Sequence, residues 1–289
     1  MHYFDSQEGQ MWETDIANSP RALREWKVNG PKNRLTRYLR RKLYGPRVKI
    51  VARSQLRRLG SEYGGWVFVP DESLVGATIL SCGLGEDASF DMEIARIYQT
   101  QVTIVDPTPR AITHFNDIML RMGSPSTMAY SKDGCQRLES YDLTGMSSAQ
   151  FSLAQVALSD RVGLAKFFSP PNPLDVSHSL VNFQNNYSAT TPYIEVRTVD
   201  IETLMKDQEL NHIAIAKFDI EGAEIQVIPL MLASGIFPDQ ILVEYDELNF
   251  PSSRGRINFQ KVHQLIQMSG YETIWFDSRS CLSYQLVRH

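Results

Sequence analysis

Cysteine is scarce and unpatterned in this sequence: Cys82, Cys135 and Cys281 are odd in number, far apart and never in a CxxC spacing. Such usage excludes a disulfide framework and a Cys-based zinc site, and leaves reduced, mostly buried thiols. Long apolar runs are missing too. None approaches the roughly 18 residues that a membrane span requires, and residues 1–24 lack the apolar centre of a secretory signal. The expected compartment is therefore cytoplasmic. No internal repeat or low-complexity tract is present. What remains is the make-up of a globular chain of one or two domains: 289 residues, 43% hydrophobic and 21% charged, with a formal charge of -4.

Acids and bases are segregated along the chain. Between Arg21 and Arg58 stand fourteen Lys or Arg against one acid, Glu25, so the remainder is strongly acidic. This asymmetry points to an anionic partner or a membrane surface for residues 21–58, or to the segment folding back on the acidic body. Within it Leu35, Tyr38, Leu39 and Leu43 recur at helical spacing. They predict a basic amphipathic helix over 32–44, whose apolar stripe packs on the core or supplies a homodimer contact. Nucleic acid is disfavoured, because the basic, aromatic-rich body it needs is absent outside that segment. Residues 1–59 read as a partly helical N-terminal extension, and 60–289 as the domain proper.

From residue 78 onward the pattern is regular. Apolar strand candidates at 78–82, 102–106, 151–158, 213–219 and 241–246 alternate with helical patterns at 87–99, 108–122, 222–234 and 257–269. Short strands buried on both faces and separated by helices predict an α/β fold with a doubly wound parallel sheet. A Pro- and Asn-rich insertion at about 160–200 reads as a loop over a site. ETIWFDS and LSYQLVRH then predict a C-terminal antiparallel hairpin.

The first of these strands runs into ILSCGLGEDASFD (79–91), where Gly83, Gly85 and Ala88 satisfy G-x-G-x-x-G/A and Asp106 ends the next strand. Glycines there permit a tight turn and close approach of a nucleotide-type ligand, and Asp106 is placed for ribose hydroxyls. By spacing alone the ligand is a dinucleotide or S-adenosylmethionine (SAM). Charge separates the two. A pyrophosphate at the helix N-terminus would stand beside Glu86 and Asp87, and like charges about 4 Å apart at an effective dielectric near 20 repel by roughly 4 kcal/mol. SAM carries an ammonium and a sulfonium, which acids suit. The competing role for either acid is to cap the following helix.

Other strand ends in such sheets deliver groups to the same cleft. KFDIEGAE brings Lys217 and Asp219 on one face, with Glu221 and Glu224 after them; LVEYDELN brings Glu244 and Asp246. These carboxylates can accept a proton or bind a sugar-like hydroxyl. Glu224 also fits helix capping, and Lys217 with Asp219 also fits a buried ion pair.

Taken in order, ILSCGLGEDASF, VTIVDPTPRAITHF, QVALSDRVG, SHSL, RTVDIETL, IAKFDIEGAEIQVI and QILVE resemble the FkbM-type family of SAM-dependent methyltransferases over about residues 60–289. The resemblance implies a class I methyltransferase fold, a Rossmann-like seven-stranded sheet ending in the hairpin. It implies SAM as cofactor, held by Ser81, Gly83, Gly85, Asp106 and Pro107, with Ala157 and Leu158 near the adenine. It further implies O-methylation of a hydroxyl on a sugar, glycan or natural-product small molecule. Two departures stand out. Ser81 and Cys82 replace the Asp-Val or Asp-Ile common at the end of the first strand, so Glu86 or Asp87 would have to meet the methionine ammonium. Asp246 stands where the family often has histidine. Tyr63 and Trp66 of the YGGW stretch cover the cofactor or pack on the sheet edge.

For the base that takes the hydroxyl proton, Asp219 and Glu244 come first and His178 third, with Lys217 beside them; Glu221 and Asp246 are placed at the acceptor. Asp219, Glu221 and Glu244 would suit magnesium, but no histidine or second carboxylate cluster completes a shell, and no metal is assigned. Two readings compete with the enzyme: a degenerate methyltransferase fold serving as a scaffold, and an enzyme using an NAD-type cofactor.

Overall fold

Thr78–Cys82, Gln101–Val105, Ile215–Phe218 and Gln240–Glu244 are short runs with almost every residue buried, a composition suited to strands covered on both faces. The structure, a computed structural model, describes residue 43 and residues 45–287 apart from 173, 174, 183, 186, 250 and 251. The basic helix expected over 32–44 lies almost wholly outside the described residues.

In chain order the elements are β1 (Arg57–Leu59), β2 (Trp66–Phe68), β3 (Thr78–Cys82), α1 (Ser89–Tyr98), β4 (Gln101–Val105), α2 (Pro109–Met119), β5 (Phe151–Ala154), β6 (Ala157–Leu158), β7 (Gly163–Phe168) and β8 (Tyr193–Val199). There follow α3 (Ile201–Asp207), β9 (Ile215–Phe218), α4 (Glu224–Ala233), β10 (Gln240–Glu244), α5 (Asp246–Asn249), α6 (Ser253–Met268), β11 (Tyr271–Phe276) and β12 (Cys281–Leu286). Seven strands form the main sheet in the order β5-β4-β3-β9-β10-β12-β11. From β5 to β10 all neighbours are parallel, and β12 pairs antiparallel with both β10 and β11.

Period-two alternation sorts the core into two layers. Leu80, Cys82, Ala216, Phe218, Ile241 and Val243 face α3, α4 and α6. Ile79, Val102, Ile104, Ile215 and Leu242 face α1, α2 and the β1–β2 hairpin. Burying one such side chain is worth about 1.5–3 kcal/mol, so the sheet's inner strands anchor everything attached to their ends.

One expected strand is broken. FSLAQVAL does not run straight through: β5 stays in the main sheet, while β6 leaves at Gln155 and Val156 to pair with β8 in a separate sheet of order β6-β8-β7. The insertion, expected as a loop, thus has its own small sheet, with β7 on GLAKFF and β8 on YIEVRTV. Part of the basic segment also folds back on the body. Val51 donates to the Thr273 carbonyl (2.8 Å), and Arg53 reaches Glu272 (2.6 Å) and Gln285 (2.6 Å) on the terminal hairpin.

Because the chain moves from β3 to β4 on one side and β9 lies on the other, the strand order reverses between β3 and β9. In open α/β sheets ligands bind outside the carboxyl ends of the strands at such a switch point.

Candidate functional site

Gly83 opens the loop at the carboxyl end of β3 with φ +86°. A Cβ there would lie 1.9 Å from the Asp219 carbonyl oxygen at the end of β9, so glycine is required by the meeting of two main chains. Asp106, at the end of β4, shapes the rest of the turn. Its Oδ2 accepts from the amides of Leu84 (2.9 Å) and Gly85 (3.0 Å), while Oδ1 accepts from the Thr108 amide (2.8 Å) and hydroxyl (2.6 Å). Pro107 lies between these ties. From behind the loop, Lys217 Nζ donates to the Gly83 carbonyl (2.5 Å) and to Ser81 Oγ (3.3 Å). Ser81 is wholly buried there and meets Lys217 across the β3–β9 register.

The two acids after the glycines are both engaged. Glu86 forms a bidentate pair with Arg110 (2.5 and 2.9 Å). Asp87 Oδ1 accepts from the Ser89 amide (3.0 Å) from the position before the N-cap residue Ala88, an i to i+2 turn and not the expected helix cap, and Oδ2 accepts from Ser61 Oγ (2.6 Å) and Gln136 Nε2 (3.1 Å). Through Ser61 the GSEYGG turn is fastened to the start of α1, helped by Gly60 N to Glu93 (2.8 Å) and Ser61 N to Ser89 Oγ (2.7 Å). Trp66 is buried next to Lys217, whose ammonium lies 5.8 Å from the ring centre. Tyr63, by contrast, is 66% exposed, beside Gly134.

At the ends of β9 and β10 the carboxylates converge. Burial, then Glu244, push Asp219 up to about 7 against the pull of Lys217. Asp246 is pushed up to about 6 by burial, and Glu221 rises well above the ordinary range through burial and its neighbours Asp246 and Asp219. Packing several acids in low dielectric disfavours their charged forms. Although Tyr63 as a whole is largely exposed, burial of its phenol end and then Asp219, Glu221 and Glu244 raise its pKa. Glu224 is structural, accepting from the amides of Gly222 (2.9 Å) and Asp246 (3.2 Å) and so tying the β9 turn to the β10 end. Glu244 accepts from Asn249 (2.8 Å) and Ser280 (3.1 Å).

The insertion closes on the same turn. Ser179 Oγ donates to the Glu221 carbonyl (2.5 Å), and Gln184 Nε2 to the Glu221 carboxylate (3.0 Å). Val176 meets the position a Cβ on Gly85 would take, at 3.0 Å. His178 contacts Ser169 Oγ (3.3 Å) and the Val176 carbonyl (3.4 Å) and stacks on Phe167, all within the insertion. Ala157 and Leu158 are buried in β6. The structure therefore brings Asp219, Glu221, Glu244 and Asp246 to one edge, beside Gly83 and Asp106, holds Lys217, Ser81 and Trp66 beneath it, and sets Tyr63 against Gly134.

Asp91, Ser61, Gln136, Tyr141 and His114 were not singled out by sequence pattern. Tyr141 Oη meets the Ala88 amide (3.1 Å) and His114 (2.8 Å) below the helix start, and burial lowers the His114 pKa. The one readable signal was Asp91, an acid at an otherwise apolar helical position between Phe90 and Met92.

Lys217 is committed to the loop and Arg110 to Glu86, whereas Asp106 and Asp219 flank the turn. Among the described residues no cluster of His, Cys, Asp and Glu is arranged to hold a metal ion, and no helix is long and apolar enough to cross a membrane.

Searches of curated proteins and of solved structures return no match. The family model for the methyltransferase FkbM domain matches residues 75–273, from β3 into β11. With that match covering more than half of the chain, on a seven-stranded sheet whose switch point carries this loop, the chain belongs to the FkbM methyltransferase family.

Proposed function

We propose that this methyltransferase uses SAM and methylates a hydroxyl oxygen of a sugar, glycan or natural-product small molecule. The observation that carries the reading is the charge of the switch point: acids line the edge and the basic groups beside it are already engaged. A bound sulfonium would favour the ionised forms of these carboxyls, whereas an NAD-type pyrophosphate would favour their neutral forms and find Lys217 and Arg110 already engaged. On this reading Gly83, Gly85, Asp106 and Pro107 form the cradle, Ala157 and Leu158 lie near the adenine, and Tyr63 covers the cofactor.

When bound, SAM supplies a methyl group already activated on sulfur. The chain's own work is to align the acceptor oxygen and take its proton, and alignment of this kind can be worth about 7–11 kcal/mol in well-oriented systems. Asp219 is the base: with a carboxyl pushed up to about 7 it is ionised above that pH and basic enough to accept a hydroxyl proton. A base so placed contributes roughly a hundred- to ten-thousand-fold. Glu244 raises Asp219 by repulsion, and Glu221 and Asp246 face the acceptor. With SAM held in the cradle as methyl donor, Asp219 would take the hydroxyl proton as the acceptor oxygen is methylated.

Incubation with methyl-labelled SAM and a panel of sugars, glycans and phenolic or polyol natural products, read by mass spectrometry, tests this. Gain of one methyl on oxygen, lost in Asp219→Asn, supports it. Transfer to nitrogen or carbon only would reject the O-methyl assignment.

A further inference from the structure

A cavity of about 270 Å³ lies in the insertion between β7 and β8. Around it stand two amides, Gln184 and Asn185, three hydroxyl residues, Ser188, Thr190 and Thr191, and two prolines, none of which carries a charge. The volume is just below the roughly 300 Å³ at which small-ligand pockets begin, which is room for one ring. Its walls are fastened at both ends: Ser179 exchanges main-chain hydrogen bonds with Phe168 at the end of β7 (2.8 and 3.1 Å), and the Ser169 amide donates to the Pro192 carbonyl (2.9 Å). The side-chain donors are largely spent. Gln184 Nε2 donates to the Ser177 carbonyl (3.2 Å) and the Glu221 carboxylate (3.0 Å), Asn185 Nδ2 to the Ser169 carbonyl (2.9 Å), and Thr191 Oγ1 to the Ser188 carbonyl (3.0 Å). What remains is the acceptor side of amides and hydroxyls. Such a lining suits a ligand that brings hydroxyl donors and no charge, because an anion would lose water there without gaining a counter-charge.

Gln184 also connects this cavity to the acidic edge. Its partner Glu221 lies two residues after Asp219 and holds φ +54°, a left-handed conformation that a residue with a Cβ rarely adopts. Backbone of this kind persists only where its surroundings hold it, and the groups that hold it here, Ser179 and Gln184, both belong to the insertion. We propose that the cavity binds an uncharged glycosyl unit of the acceptor, next to the sugar whose hydroxyl is methylated, with Gln184 setting that unit against the Glu221 turn. The acceptor is then an oligosaccharide or a glycoside and not a free monosaccharide. Sugars bearing a carboxylate, sulfate or phosphate on that unit are rejected.

The unit's place in a methyl acceptor rests on the methyltransferase reading, whereas its binding does not, and the test separates the two. An array of neutral glycans and their uronate or sulfated counterparts is probed with the full chain, with and without S-adenosylhomocysteine, and the best-bound neutral glycan is then titrated by calorimetry. Neutral glycans should bind, and their anionic counterparts should bind about tenfold or more weakly. Thr190 is exposed beside the cavity, so Thr190→Trp fills it without entering the core. It should weaken the neutral glycan about tenfold or more, whereas Thr190→Ser keeps the hydroxyl and should stay within about threefold; both should melt with the starting protein. Full-strength binding in Thr190→Trp, a preference for the anionic glycans, or no neutral glycan bound while S-adenosylhomocysteine binds would each overturn the proposal. Glycan binding as expected with no binding of S-adenosylhomocysteine would instead count against the cofactor and leave the cavity assigned.

Discussion

Replacing Gly83 with alanine should damage this protein far more than a glycine-to-alanine change elsewhere. The added Cβ would sit 1.9 Å from the Asp219 carbonyl oxygen, where ordinary contact begins near 3.4 Å, so the two main chains must part by roughly 1.5 Å. Neither is free to yield: the Gly83 amide is bonded to the Val105 carbonyl (3.0 Å) and the Asp219 amide to the Cys82 carbonyl (3.0 Å). Overpacking of this kind costs about 1–3 kcal/mol. Holding a residue with a Cβ at positive φ adds about 1–2 kcal/mol. A total of about 2–5 kcal/mol, against an unfolding entropy near 0.6 kcal/mol per kelvin for a chain of this size, lowers the melting temperature by about 3–8 °C. Gly145 supplies the control, since it also has positive φ (+74°) but nothing within 4 Å of the added atom. Gly145→Ala should cost only the backbone share, about 2–3 °C. Calorimetric melts of both variants check the reasoning, and equal losses would refute the close approach of β3 and β9 ends.

The pH–rate profile of kcat/KM should rise through about pH 7 as Asp219 ionises, and Asp219→Asn should lose both the rise and most of the rate; an unshifted profile in that variant would remove Asp219 as base. Stability should move the other way. For Asp219 and Asp246 the folded-state pKa lies above the ordinary 3.8, so their contribution is complete below that value and is lost as pH rises to about 6–7. Melting temperature should fall between pH 5 and 7.5, and fall less in Asp246→Asn. Asp87→Asn should destabilise by about 1–3 kcal/mol, since three donors converge on the carboxylate, whereas Glu86→Gln should cost about 0–1 kcal/mol because the Arg110 pair is partly exposed. Loss of cofactor affinity in Glu86→Gln without a change in melting would make Glu86 a ligand contact. Gln240 grips Val69 through both its amide atoms (2.8 and 2.9 Å), so Gln240→Ala should release the β1–β2 hairpin and lower stability by about 1–3 kcal/mol; an unchanged melt would contradict it.

The sheet was readable because its strands are apolar on both faces and lie between amphipathic helices, and the terminal hairpin because only RSC interrupts two apolar runs. FSLAQVAL was not readable as two strands: Gln155 and Val156 carry no glycine or proline to mark the break, which is set by pairing with β8, some forty residues further along the chain. At the site, the acids of β9 and β10 followed from strand alternation. The roles of Asp87 and Glu224 did not. Period and spacing say where a carboxylate points, not which amides from distant loops will reach it, and the partners Ser61, Gln136, Gly222 and Asp246 are gathered only by the fold. Asp106, placed by motif for a ribose, also meets four loop donors that the motif does not reveal and organises the turn.

The proposed sulfonium cofactor and a dinucleotide make opposite demands on the charge of this glycine loop, and the choice between them decides the proposed function. Titration calorimetry with SAM, S-adenosylhomocysteine and NAD, at matched pH and ionic strength, measures it directly. Saturable binding of the two sulfur compounds with no detectable NAD binding is the expected result; tight NAD binding with no response to either sulfur compound would contradict it.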